Sequence, residues 1–135
     1  MNYSNIPTVC PYCGTGCVFH IQKLDGQIIG ILPNKSHPIS QGKLCIKGWT
    51  ANEFVLSGDR LAKPLIKRNG KLAEASWDEA LSTVADRLKE CKDKNGPDSI
   101  AVLSSAKSTN EENYLMMKFT RAVLGTNNID HCARL

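Results

Sequence analysis

Cys10-Pro11-Tyr12-Cys13-Gly14-Thr15-Gly16-Cys17 is the stretch on which the reading of this chain turns. Three cysteines fall within eight residues, and a fourth, Cys45, follows after 27 intervening residues, giving the spacing C-x2-C-x3-C-x27-C. Gly14 and Gly16 lack a Cβ, so the backbone between the cysteines can turn tightly and aim N–H groups at sulfur. Four thiolates are what a cubane iron–sulfur cluster needs, one for each iron. A structural zinc site also takes four cysteines. Zinc ribbons, however, pair two C-x2-C knuckles, and Cys45 has no second cysteine two or three residues away. Cys10, Cys13, Cys17 and Cys45 are therefore the candidate metal ligands, and the segment around them is expected to be a small lobe organised by its ligand.

Working outward from the cysteines, Val18–Leu24 and residues 27–32 flank Asp25-Gly26, a pair suited to a two-residue hairpin turn. Residues 33–42, with two prolines, Asn34, Ser36 and Ser40, form the loop that returns the chain to Cys45. Asn69-Gly70 predicts a second hairpin, between Leu65–Arg68 and residues 71–75. Ser76 and Glu79 fit a capping box ahead of a helix whose apolar face carries Trp77, Ala80, Leu81, Val84, Ala85, Leu88 and Cys91. Gly96 and Pro97 stop it. Residues 99–104, centred on Ile100-Ala101-Val102-Leu103, read as a short buried strand. Asn110 is the expected cap of a second helix over 111–124, closed by Gly125. The fold class is α+β: a small β-rich lobe over residues 1–58, then the beginning of an α/β (αβα) layer over 59–135 whose sheet needs more strands than this sequence contains.

Composition narrows the rest. The chain has 135 residues, 41% of them hydrophobic and 22% charged, with a net charge of +4. Those fractions are globular rather than disordered. The positive surplus is small and forms no run, so no nucleic-acid partner is indicated. No apolar stretch approaches the roughly 20 residues that span a bilayer, so direct membrane insertion is not expected. Residues 1–8 carry no secretory or twin-arginine signal, and a cytoplasmic location is expected. In that compartment the six cysteines read as metal ligands or buried thiols rather than disulfides. Cys91 lies on the helical apolar face and reads as packing, and Cys132 beside His131 reads as ordinary packing with a metal or catalytic role as the alternative. His20 and His37 have no neighbours that would make them ligands.

Residues 10–17, together with Gly42-Lys43-Leu44-Cys45-Ile46-Lys47-Gly48, resemble the iron–sulfur module that opens the molybdopterin oxidoreductases, which include formate dehydrogenases and assimilatory nitrate reductases. The resemblance implies that Lys47 lies between cluster and pterin and relays electrons. Leu65-Ile66-Lys67-Arg68, Ser76-Trp77-Asp78-Glu79-Ala80, residues 104–114 and residues 125–135 are similar to the catalytic subunit of formate dehydrogenases. That similarity implies a 4Fe–4S cluster and a molybdenum or tungsten bis(molybdopterin guanine dinucleotide), with Lys107 and Asn110 near the dinucleotide. A basic side chain beside a helix N-terminus suits anionic cofactor groups. The implied reaction is oxidation of formate to carbon dioxide with release of two electrons. The implied partners are the remainder of the catalytic subunit and electron-transfer subunits or an acceptor protein.

In the family, a motif like His131-Cys132-Ala133-Arg134-Leu135 is followed at once by the selenocysteine or cysteine that ligates the metal. The sequence ends at Leu135. Residues 1–135 thus contain no catalytic residue and are expected to be inactive alone. The expectation is that the natural frame continues through an in-frame UGA codon, with a split enzyme as the competing account. A self-sufficient small iron–sulfur carrier and a segment of an assimilatory nitrate reductase are the alternative readings. A simple carrier has no use for the pterin-facing residues 107–114 and 127–135.

Overall fold

Asp25-Gly26 and Asn69-Gly70 each reverse the chain through two residues of positive φ, 48° and 87° in the first turn and 49° and 83° in the second. This is the turn whose twist matches that of paired strands. The structure, a computed structural model, describes residues 1–132. Around the first turn, β1 (Tyr3–Val9), β2 (Val18–Leu24) and β3 (Gln27–Pro33) form an antiparallel sheet in the order β1-β2-β3. The register of β2 and β3 shifts between Gln22 and Lys23, a bulge that sharpens local twist.

β1 has no counterpart in the sequence reading. It pairs with β2 from Tyr3↔Leu24 to Val9↔Val18. Its sequence, YSNIPTV, lacks apolar alternation and contains a proline. Pro7 is tolerated because β1 is an edge strand with one side of its backbone unpaired. The consequence is large: the cysteine run is the loop of a hairpin, entered from β1 and left into β2.

The return to Cys45 uses Gln41 and Gly42, both at positive φ, followed by short helices α1 (Ile46–Trp49) and α2 (Glu53–Leu56). Phe19, Cys10 and Ala51 are the buried centre of this part, with Tyr12, Cys17, Ile21, Ile31 and Leu44 packed on it.

The second hairpin is β4 (Leu65–Arg68) with β5 (Lys71–Glu74). Ser76 caps α3 (Trp77–Asn95), its hydroxyl accepting the Glu79 N–H at 3.1 Å, and Gly96 ends the helix at φ 83°. β6 (Val102–Ser105) and β7 (Ile129–Cys132) make a two-stranded sheet. Ile100, Val102 and Leu124 form a second buried cluster, packed by Leu88, Cys91 and Ile129. The strand expected to be buried throughout is buried on one side only. Val102 is 8% exposed, whereas its neighbour Leu103 is 88% exposed, as alternating side chains require when one face has no covering layer.

Between β6 and β7, α4 (Asn110–Phe119) continues as one π turn, Thr120–Leu124, closed by Gly125 in the left-handed conformation. Its cap differs from expectation. Thr109 and Glu112 close a reciprocal capping box: the Glu112 N–H donates to Thr109 Oγ1 at 3.2 Å, and the Thr109 N–H donates to Glu112 Oε2 at 2.7 Å. Asn110 is the first helical residue.

The chain groups into two compact units. One comprises Met1–Arg60, Ser104–Tyr114 and the chain from His131; the other comprises Leu61–Leu103 and Leu115–Asp130. Among the described residues no helix is long and apolar enough to cross a membrane. The expected approach of Ala133, Arg134 and Leu135 to a metal ligand lies outside the described residues.

Candidate metal centre

The antiparallel register decides where the first and third cysteines stand. Val9 opposes Val18, so Cys10 and Cys17 meet at the open end of the β1–β2 hairpin, and the ladder continues through them: the Cys10 N–H donates to the Cys17 carbonyl at 2.8 Å. Cys10 is buried and Cys17 half-buried. Between them the loop is held tight by the Gly16 N–H reaching the Cys13 carbonyl at 3.5 Å, with Gly16 at φ 63°, a conformation that favours glycine. Cys13 Sγ lies 3.4 Å from Thr15 Oγ1.

Cys45 arrives on the residue before α1 and is exposed. Its side chain makes no cap bond to α1, and the Gly48 N–H donates to the Cys45 carbonyl at 3.0 Å.

Electrostatics tie these four thiols into one group. The Cys17 thiol is pushed up, first by burial and then by the negative charge that Cys10, Cys13 and Cys45 would carry. The Cys13 thiol is held low by the Thr15 hydroxyl and the Thr15 amide, with a further push from Lys47. Cys45 is also held low, by the Gly48 amide first and then by the Lys47 amide and its ammonium group. Lys47, half-buried on α1, therefore sets a positive charge beside two of the four sulfurs.

The donor set can be tested against the two metal groups that four cysteines serve. Zinc draws its sulfurs to about 2.3 Å of a single point. The cysteine loop supplies three thiols from one hairpin and the fourth stands alone before α1, without the paired C-x2-C knuckles of a zinc ribbon. Four thiols within reach of each other's charge suit a group that takes one thiolate at each of four irons. The residues present fit a 4Fe–4S cluster.

The unequal thiols give a direct prediction. In reduced, metal-free protein at mildly alkaline pH, a lower pKa means more thiolate, which is the species that alkylates. Cys13 and Cys45 are expected to be carboxamidomethylated before Cys17, as followed by peptide mass mapping over time. Equal rates at all three would contradict the arrangement.

The other candidates lie as follows. Lys107 is exposed on the loop before α4, its N–H donating to Ser105 Oγ at 3.0 Å. Asn110 reaches back to the cysteine loop, with its Nδ2 donating to the Gly14 carbonyl at 3.4 Å. Cys91 packs in the second cluster, 3.5 Å from Ser99 Oγ. Cys132 is exposed on β7. His37 Nδ1 accepts the Ser40 N–H at 3.2 Å within its loop. His20 sits in β2 opposite Pro7 and Leu32. The spacing of the cysteines does not single out Thr15, whose place beside Cys13 follows from the loop closed between Cys13 and Gly16.

Residues 3–57 match the family of the molybdopterin oxidoreductase Fe4S4 domain, and residues 60–135 match the molybdopterin oxidoreductase family. The chain is 52% identical over 130 residues to the F420-dependent formate dehydrogenase 2 subunit alpha of Methanococcus maripaludis, an alignment covering 96% of this chain and 19% of that protein. It is 50% identical over 135 residues to the F420-dependent formate dehydrogenase subunit alpha of Methanocaldococcus jannaschii, covering all of this chain and 19% of that one. Among solved structures, acetylene hydratase from Pelobacter acetylenicus superposes with a TM-score of 0.65 at 26% identity, covering 93% of this chain and 18% of the hydratase. The chain thus spans about a fifth of the length of the proteins it is similar to.

Proposed function

Because the chain belongs to the molybdopterin oxidoreductase family, we propose that it is the N-terminal part of a formate dehydrogenase catalytic subunit, and that Cys10, Cys13, Cys17 and Cys45 hold its 4Fe–4S cluster. The observation that carries this reading is the hairpin register that sets Cys10 beside Cys17 with Cys13 in the loop between them. The fold alone does not choose the reaction, since an enzyme named as a hydratase shares it. The reaction assignment rests instead on the identity of half the residues, across the whole chain, to proteins named as formate dehydrogenase alpha subunits.

When bound, the cluster supplies a one-electron acceptor at the edge of the formate-oxidising site. The chain's own residues do the remaining work. Thr15, whose hydroxyl lies 3.4 Å from Cys13 Sγ, directs hydrogen toward sulfur, which stabilises negative charge there and raises the potential. Lys47 adds a full positive charge beside Cys13 and Cys45, lowering the cost of an arriving electron. Lys107 and Asn110 flank the pterin dinucleotide, and Lys107 offers its cation to phosphate. The rest of the catalytic subunit completes the site, and the subunit hands electrons on to a partner subunit or acceptor protein. The word alpha in the relatives' names fits such an assembly.

Iron and sulfide analysis after purification without oxygen tests the reading: about four of each per chain are expected. One zinc and no iron would overturn it. Formate oxidation is expected from the full-length subunit and not from residues 1–135 alone.

A further inference from the structure

Asn110 stands 96 residues from Gly14 in sequence, yet its side chain fills the space where a Gly14 side chain would be. A Cβ built on Gly14 would lie 2.2 Å from Asn110 Oδ1 and 2.8 Å from Asn110 Cγ, and its three nearest atoms all belong to Asn110. Gly14 is not among the glycines at positive φ. Its backbone would accept alanine, so the contact with Asn110 is what a side chain there would disrupt. The Asn110 side chain is available for this contact because Thr109 and Glu112 cap the helix without it. A cavity of about 120 Å³ adjoins the contact, lined by Cys10, Cys13, Gly16, Thr109 and Glu111 among others.

The grip acts on one peptide unit. Asn110 Nδ2 donates to the Gly14 carbonyl, and the N–H on the other end of that planar, trans unit belongs to Thr15. Holding the oxygen fixes the direction of the N–H. Thr15 is the residue whose hydroxyl oxygen lies 3.4 Å from Cys13 Sγ. We propose that Asn110 is a positioning residue for the cluster: by holding the Gly14 carbonyl it fixes the peptide unit that carries Thr15, keeps the Thr15 hydroxyl against the Cys13 sulfur and keeps the reduction potential raised. Hydrogen bonds to cluster sulfurs are among the levers that set such potentials.

This inference rests on the assignment of the cluster to the four cysteines, and the two can fail separately. In the full-length subunit, iron content tests the assignment, and an EPR-monitored redox titration tests the positioning. Asn110→Ala is expected to retain iron and to move the potential to a more negative value, by up to about a tenfold change in the reduced-to-oxidised ratio, about 59 mV for one electron. Gly14→Ala is expected to move it the same way by displacing the Asn110 side chain. The double variant is expected to shift no further than the larger single one, because both break the same contact. Asn110→Leu keeps the size without the donor and is expected to follow Asn110→Ala. An unchanged potential in Asn110→Ala and Asn110→Leu would overturn the proposal, as would additive shifts in the double variant. Iron loss in both Asn110 variants would also overturn it, showing a residue that the lobe needs in order to load its cluster.

Discussion

Cys17→Ala in the full-length subunit is expected to lose essentially all of its cluster iron and, with it, formate-dependent reduction of any acceptor, while Cys91→Ala keeps both. The two substitutions remove the same atom from similar surroundings. Cys17 packs half-buried on the cluster of Phe19, Cys10 and Ala51, and Cys91 half-buried on Ile100, Val102 and Leu124. Their packing losses should therefore be alike, about 1 kcal/mol for a small buried group. What differs is electrostatic company. Cys17 feels Cys10, Cys13 and Cys45, whereas the polar groups beside the Cys91 sulfur are Ser99 and Asn95. Because metal binding and folding share one free energy in a ligand-organised lobe, Cys17→Ala should also leave the β1–β3 sheet easier to digest with protease. Iron analysis and the visible absorbance of the purified variants decide the matter. Equal iron in the two variants would remove Cys17 from the ligand set.

Much of this geometry was legible locally. Asp-Gly and Asn-Gly pairs require positive φ at two successive residues, and both turns form where they stand. The Ser76 hydroxyl accepts the Glu79 N–H three residues on, and α3 starts there. The same rule, applied to Ser108-Thr109-Asn110-Glu111-Glu112, is met by Ser108 with Glu111 and by Thr109 with Glu112 but not by Asn110, and the structure uses the second pair. That signal was present in the sequence, and preference for asparagine as a cap pointed past it.

Other features were not written locally. β1 forms because β2 offers a free edge, and nothing in YSNIPTV alone carries a strand period. Leu103 belongs to a short apolar run that suits a strand covered on both faces, and its exposure reflects the absence of a covering layer rather than a polar pattern. The Asn110–Gly14 contact joins residues 96 positions apart, a relation that no window of sequence contains. The four cysteines show both kinds of information. Their spacing nominates them, but only the Val9↔Val18 register brings the first and third together.

Lys47→Ala is expected to leave iron content unchanged and to slow formate-dependent electron delivery to the acceptor by about ten- to a hundredfold. The argument is one of charge. Lys47 lies close enough to Cys13 and Cys45 for its ammonium group to lower both thiols, and among the described residues no ion pair engages it. Two unit charges about 7 Å apart interact by about 2 kcal/mol at an effective dielectric of about 20, and every 1.36 kcal/mol of barrier is tenfold in rate. Lys47 is half-buried, so screening by water trims that figure toward the lower end. Lys47→Arg keeps the charge and should recover most of the rate, although its planar head fills space differently. Lys47→Met keeps the length without the charge and should behave like Lys47→Ala. That pair of variants separates electrostatics from packing: if methionine rescues and arginine does not, the residue acts by filling space. Stopped-flow reduction with formate, followed at a cluster absorbance band, is the informative measurement, because steady-state turnover can be limited by a later step. Wild-type rates in Lys47→Ala would show that the positive charge beside Cys13 and Cys45 has no part in moving electrons.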